Sequence, residues 1–273
     1  MTASTTRPDA EFELLTAKIT RDRGFGCASY KEKCLRRRIA VRMRARGVHT
    51  YRDYARILDS DAREYERLLD ALTINVTRFF RNPEAWAALD AQVLPALMAP
   101  ARAPLRVWSA GCSSGEETYS LAILLHRRAA AAGRRARAVD ILGTDIDKAS
   151  LEAAAAARYP ESAFSDVPPE LRREYFAGAD HRTVPDGVRA LVRFARHDLL
   201  GEPAPGGPYD LIVCRNVTIY FDKRSQDALL GKFHAALAPA GVLMLGKVET
   251  LSIALRGRFE TVDARERIFR RAP

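Results

Sequence analysis

The sequence predicts an α/β fold: a doubly wound, mostly parallel sheet with an antiparallel closing strand, preceded by a small all-helical N-terminal domain. Three observations carry this. Strand-like and helix-like periodicities alternate after residue 104, as βαβ units require. Little strand signal precedes residue 100. Between the two regimes lies Pro95-Ala96-Leu97-Met98-Ala99-Pro100-Ala101-Arg102-Ala103-Pro104, whose prolines cannot continue a helix and read as a semi-rigid linker. The expected division is therefore residues 1–94, a linker at 95–104, and residues 105–273.

In the first part, helices are expected over Asp9–Ile19, Lys31–Arg46, Tyr51–Asp59 and Asp61–Leu72. In the second of these, Leu35, Ile39 and Met43 form one narrow apolar stripe at helical spacing. Lys31, Lys33, Arg36, Arg37, Arg38, Arg42, Arg44 and Arg46 crowd the rest, opposed only by Glu32. On the helical wheel Arg37 and Arg44 fall opposite the stripe, while Arg38 and Arg42 flank it. Gly47 suits the stop position.

In the second part, Leu105–Ala110 reads as a buried strand, followed by a Gly/Ser turn and a helix from Glu116 through Ala132. Val139–Thr144 is a second strand, with an Ala-rich helix near Lys148–Ala157. Further strands fall at Val192–Ala195, Tyr209–Cys214 and Val242–Leu245, with a helix from Lys223 to Leu237. Phe259–Val262 and Arg267–Arg270 close the sheet as a hairpin. Residues 168–197 break the rhythm and read as an inserted substructure or elaborated loop.

Composition narrows the function. With 47% hydrophobic and 29% charged residues, 273 residues can bury a real core. No apolar run approaches the ~20 residues of a membrane span, and the first residues lack the apolar core of a signal peptide. The cytoplasm is the expected location. Cys27, Cys34, Cys112 and Cys214 have no metal-ligand spacing, so reduced structural thiols and no metal are expected. The net charge of +10 points to an acidic partner.

The chemistry concentrates at strand ends. Val107-Trp108-Ser109-Ala110-Gly111-Cys112-Ser113-Ser114-Gly115-Glu116-Glu117-Thr118 runs from strand through a glycine turn into a helix whose first turn holds two glutamates. Gly111 lets a ligand approach the backbone where open α/β sheets bind ligands. Asp145, at the tip of the second strand, can accept from both hydroxyls of a ribose; Asp147 reads as the cap of the next helix. The spacing is not that of a dinucleotide fingerprint, and Glu116 would repel a pyrophosphate. S-adenosylmethionine fits better than NAD. Cys214-Arg215-Asn216-Val217-Thr218-Ile219-Tyr220-Phe221-Asp222 ends the fourth strand over the same crevice, with Asp222 read as a helix cap.

These last two stretches, together with Ile74-Asn75-Val76-Thr77-Arg78-Phe79-Phe80-Arg81, resemble the bacterial chemotaxis protein methyltransferases, the CheR family, in order and spacing from about Ile19 to the end. The resemblance implies a Rossmann-like methyltransferase domain using S-adenosylmethionine and releasing S-adenosylhomocysteine. It also implies a small antiparallel β-insertion, placed at about 178–195. Asn75, Thr77 and Arg81 would line the cofactor site. Glu116 would meet the methionine amino group and Asp145 the ribose, while Arg215 and Asn216 close the pocket. Tyr220 would stand beside the transferring methyl, and Arg81 and Tyr220 would position the acceptor. Asp198-Leu199 stands where the family usually has Asn-Leu, toward the adenine. Gly246-Lys247-Val248-Glu249 departs from the family's Gly-His-Ser-Glu-like run, and Thr118 replaces a usual proline.

The implied acceptor is a glutamate on the cytoplasmic helical bundle of a methyl-accepting chemoreceptor, with this chain a monomer. An ionised carboxylate needs no general base, so positioning and desolvation carry the rate. Arg38, Arg42 and Arg44 are the expected docking face for glutamate-rich receptor helices. Two rivals are a non-catalytic cofactor-binding module and a nucleic-acid methyltransferase. The second is disfavoured because the basic helix lacks interleaved aromatics, and the expectation is that no nucleic acid binds.

Overall fold

The computed structural model describes residues 8–73, 77–99, 104–133, 138–178 and 180–273. Its contacts divide the chain into two units, a helical one and one built on a sheet.

The helical unit contains α1 (Pro8–Arg23), α2 (Glu32–Ala45), α3 (Tyr51–Ser60) and α4 (Ala62–Leu72). Each contributes residues at helical spacing to one apolar core: Phe12, Leu15 and Ile19, then Leu35, Ile39 and Met43, then Tyr54 and Leu58, then Tyr65, Leu68 and Leu72. The caps are local. Thr50 accepts from the Asp53 amide and Asp61 from the Glu64 amide, each meeting an N–H the helix cannot pair. Gly47, at φ +68°, follows α2 as the expected stop. The same unit takes in the segment Tyr220–Ser225.

The division falls after α4, not at the proline-rich run. Phe79, Phe80, Trp86, Leu89 and Leu94 are buried with Val107, Leu121 and Val213 of the sheet unit. The Phe80 amide donates to Ser120 Oγ at 2.8 Å, and the Phe79 amide to the Ala163 carbonyl at 3.0 Å. Pro95 lies in the first turn of a short helix, where its missing N–H costs nothing, so proline content alone misplaced the boundary.

The sheet unit continues through α5 (Pro83–Gln92), α6 (Leu94–Leu97), β1 (Leu105–Ala110), α7 (Glu116–Ala132), β2 (Val139–Asp145), α8 (Lys148–Ala156), α9 (Pro169–Tyr175), α10 (Asp186–Arg189), β3 (Val192–Arg196), β4 (Tyr209–Cys214), α11 (Lys223–Ala236), β5 (Leu237–Leu245), α12 (Ile253–Arg256), β6 (Phe259–Asp263) and β7 (Ile268–Arg271). Its seven strands run in the order β3-β2-β1-β4-β5-β7-β6. Strands β1 to β5 pair in parallel, and β7 lies antiparallel between β5 and β6. The strand order reverses between β1 and β4, which opens a crevice at their carboxyl ends.

Among the described residues, no β-insertion is formed near 178–195. Among the described residues this stretch holds one isolated bridge between Arg158 and Thr183, the short α10, and β3, which joins the main sheet as an edge strand. Val184 and Val188 are buried in the main core, so the stretch has no second apolar face to support a sheet of its own.

Candidate active site

The crevice is built at the ends of β1, β2 and β4. Leaving β1, the chain turns through Gly111 at φ +77° and Gly115 at φ +93°. A Cβ on Gly111 would meet Val217 Cγ2 at 2.6 Å, and one on Gly115 would meet the Ala154 Cβ at 2.8 Å. Both glycines are thus required by conformation and by contact. The Gly111 amide donates to the Thr144 carbonyl at 2.8 Å. Asp145 completes the turn: its carboxylate accepts from the Ser113 amide at 2.8 Å and the Asp147 amide at 3.0 Å. Burial pushes its carboxyl above the ordinary range, with those amides opposing. Each carboxylate oxygen has a second lone pair, so both keep acceptor capacity. Asp147 caps α8, accepting from the Ala149 amide at 3.1 Å, and Asp222 caps the start of α11 through the Ser225 amide at 2.7 Å.

Consecutive helical positions diverge by about 100°, which separates the two glutamates at the start of α7. Glu116 is buried and accepts from Ser114 Oγ at 2.7 Å. No cationic side chain among the described residues pairs with it, and burial raises its pKa, with the Ser114 hydroxyl opposing. Glu117 instead faces Arg215, at 3.5 Å. Burial pushes the Glu117 carboxyl up to about 7, with Arg215 pulling down and Glu249 pushing up.

Arg215 is buried and engaged with protein. Its Nη2 donates to the Arg81 carbonyl at 2.9 Å and to Asn82 Oδ1 at 3.2 Å, and its guanidinium lies 5.2 Å from the Trp86 ring centre. Trp86 Nε1 donates to the same Arg81 carbonyl at 3.1 Å. Arg215 thus braces the turn that carries Arg81, which lies between Phe80 and Asn82, both at positive φ. The resemblance gave Arg215 to the cofactor pocket; here its Nη2 bonds to the polypeptide, while its buried Nε has no hydrogen-bond partner.

Asn216, at φ +60°, and Val217 follow directly. Their amides donate to Glu249, a buried residue whose contact the sequence does not reveal. It lies 31 to 33 positions away from Asn216, Val217 and Thr218, beyond the reach of any local pattern. Asp198 turns inward on its own loop, accepting from the Leu200 amide at 2.9 Å, while the Leu199 carbonyl accepts from Lys232 Nζ at 2.5 Å. Thr77 is half-buried in this unit. Asn75 lies outside the described residues.

The remaining predicted residues belong to the helical unit. Tyr220 has its carbonyl bonded by the Lys31 amide at 2.8 Å, and the Arg38 guanidinium lies 5.8 Å from its ring centre. Arg38 also donates to the Ala71 carbonyl at 2.6 Å. Arg42, expected on the docking face, is engaged within the helical unit. Its Nε and Nη2 grip Glu64 at 3.0 and 2.6 Å, and Tyr54 Oη donates to the same carboxylate at 2.8 Å. Helical spacing placed Arg42 beside the apolar stripe but could not show the fully buried Glu64 waiting across the helix pair. Arg37 and Arg44 are exposed, as the wheel places them.

A family model described as CheR methyltransferase, SAM binding domain, matches residues 75–268. A second, described as CheR methyltransferase, all-alpha domain, matches residues 10–73. A chemotaxis protein methyltransferase from Listeria innocua is 38% identical over 248 residues, covering 89% of this chain and 92% of that one. Another from Klebsiella aerogenes is 35% identical over 255 residues, covering 89% and 84%. Among solved structures, an S-adenosylmethionine dependent methyltransferase from Mesorhizobium loti is 24% identical over 57% of this chain and 53% of that one, with a TM-score of 0.31, too low to carry an argument.

Proposed function

The chain belongs to the CheR methyltransferase family, and from that membership we propose that it methylates glutamate side chains on the cytoplasmic helical bundle of a chemoreceptor, giving glutamyl methyl ester. The cofactor is S-adenosylmethionine, in keeping with the family's SAM binding domain. The observation that carries the reading is Glu116, a buried carboxylate at the start of α7, just after the glycine turn, with one serine hydroxyl for company. A buried anion left this exposed to its own desolvation cost favours a cationic ligand group. The ammonium of a methionine moiety meets that need. Asp145, also raised by burial, adds to the preference for positive over phosphate-bearing ligands.

When bound, S-adenosylmethionine supplies an electrophilic methyl group on a sulfonium. The chain's own residues then bind and orient. Glu116 holds the ammonium and Asp145 the ribose hydroxyls, with Thr77 and Asn216 at the edges. Arg215, through the Arg81 carbonyl, fixes the turn from which Arg81 aligns the incoming carboxylate. No side chain is asked to take a proton, because the acceptor glutamate is ionised at neutral pH. Rate comes from alignment and exclusion of water.

The docking face is revised to Arg44 and Arg37, which are exposed, with Arg38 contributing what its bond to Ala71 leaves available. Such a surface would steer an acidic helix in a salt-sensitive way. The test is methyl transfer from radiolabelled S-adenosylmethionine to a receptor cytoplasmic fragment. Base-labile label recovered as volatile methanol is expected. Base-stable label, or cofactor binding with no transfer to any receptor fragment, would overturn the glutamyl ester assignment.

A further inference from the structure

We propose that Glu249 is a positioning residue for the cofactor site, holding residues 216–218 in the one shape that sets the crevice's depth. The proposal rests on the cofactor reading above. Glu249 is buried at 2% exposure in the loop after β5. Its Oε2 accepts from the amides of Gly246 at 2.6 Å and Asn216 at 2.9 Å. Its Oε1 accepts from the amides of Val217 at 2.9 Å and Thr218 at 2.7 Å, and from Thr218 Oγ1 at 2.9 Å. Three successive amides converging on one anion form a backbone nest, and the charge strengthens each bond.

The nest has a consequence at the ligand side. Asn216 is held at φ +60°, a left-handed conformation that asparagine tolerates better than most side-chain-bearing residues, and its own amide and the next are fixed there by Glu249. The next residue, Val217, projects against Gly111 so closely that a Cβ there would lie 2.6 Å from its methyl. The strand-end loop and the glycine turn are thereby seated on each other, and Glu249 is the group that fixes one of them. The seat is tight behind the carboxylate too: a Cβ on Gly246 would come within 2.6 Å of Glu249 Oε2 and 2.8 Å of the Asn216 amide. A glutamine at 249 has one acceptor oxygen, and its NH₂ would face backbone N–H groups. The loop would relax, and Val217 would lose its register against Gly111.

Calorimetric titration with S-adenosylhomocysteine, on the full chain and on Glu249→Gln and Val217→Ala, tests this. Positioning predicts a Kd raised roughly tenfold or more for Glu249→Gln at unchanged stoichiometry, and a raised Kd for Val217→Ala. A purely structural role would lower the stoichiometry, as misfolded protein accumulates, and leave Kd alone. Wild-type Kd in both variants overturns the proposal, and should Glu249→Gln fail to fold, an unchanged Kd in Val217→Ala does so by itself. An unmodified chain that does not bind the product overturns the cofactor reading as well, which separates the two failures.

Discussion

Glu64 and Glu116 occupy matching places in the two units, each a buried carboxylate in the first turn of a helix, and their surroundings could hardly differ more. Burial by itself would raise the Glu64 carboxyl, but hydrogen bonds from Arg42 and then Tyr54 carry it below the ordinary value. Burial raises Glu116, and one serine hydroxyl does not reverse it. A buried charge that the fold fully satisfies is part of the fold. One that the fold leaves short of donors is poised for a ligand.

The sharpest way to break this contrast is to remove the satisfied charge. Glu64→Ala strands the Arg42 guanidinium and is expected to cost about 3–5 kcal/mol in denaturant unfolding of the helical unit. A loss below about 1 kcal/mol would mean that the Arg42–Glu64–Tyr54 cluster is only surface decoration. Glu116→Gln should behave in the opposite sense. It is expected to weaken S-adenosylhomocysteine binding by ~1–3 kcal/mol without lowering the ligand-free melting temperature. Unchanged affinity, or a large drop in melting temperature, would place Glu116 with Glu64 after all.

The third effect is in pH. Glu64, lowered in the folded state, contributes stability that is full above the unfolded carboxylate pKa and is lost as pH falls through its folded value. Glu117, raised to about 7, binds its proton more tightly folded than unfolded. Stability therefore falls as pH rises from about 4.5 toward 7, by at most about 1.4 kcal/mol per pH unit for one group, and levels off above. Hydrogen exchange across that range should show protection of α7 declining with rising pH while α4 holds steady. Parallel trends in both helices would remove the distinction.

Much of the site could be read from residue types alone. The glycine turn, Asp145 at a strand tip, and the capping roles of Asp147 and Asp222 are local matters of turn conformation and helix-end hydrogen bonding, so the linear order carries them. The apolar stripe of α2 is equally local. The division of the chain was not, because Phe79, Phe80 and Trp86 choose their core by what they can pack against, and that lies far along the sequence. The pairing of Arg42 with Glu64 was hidden for the same reason: helical spacing says which way Arg42 leaves α2, not what meets it.

The amino-acid order thus determined the strands, the helices and the strand-end chemistry, since period, turn residues and caps act over a few positions. Only the tertiary structure decided how the charges are used. It gave Arg42 to Glu64, Arg215 to Glu117 and the Arg81 carbonyl, and Glu249 to the amides of residues 216–218. It left Glu116 without a cation among the described residues. The balance between desolvation and compensating hydrogen bonds depends on which distant groups the fold brings within about 3 Å, and no local pattern encodes that.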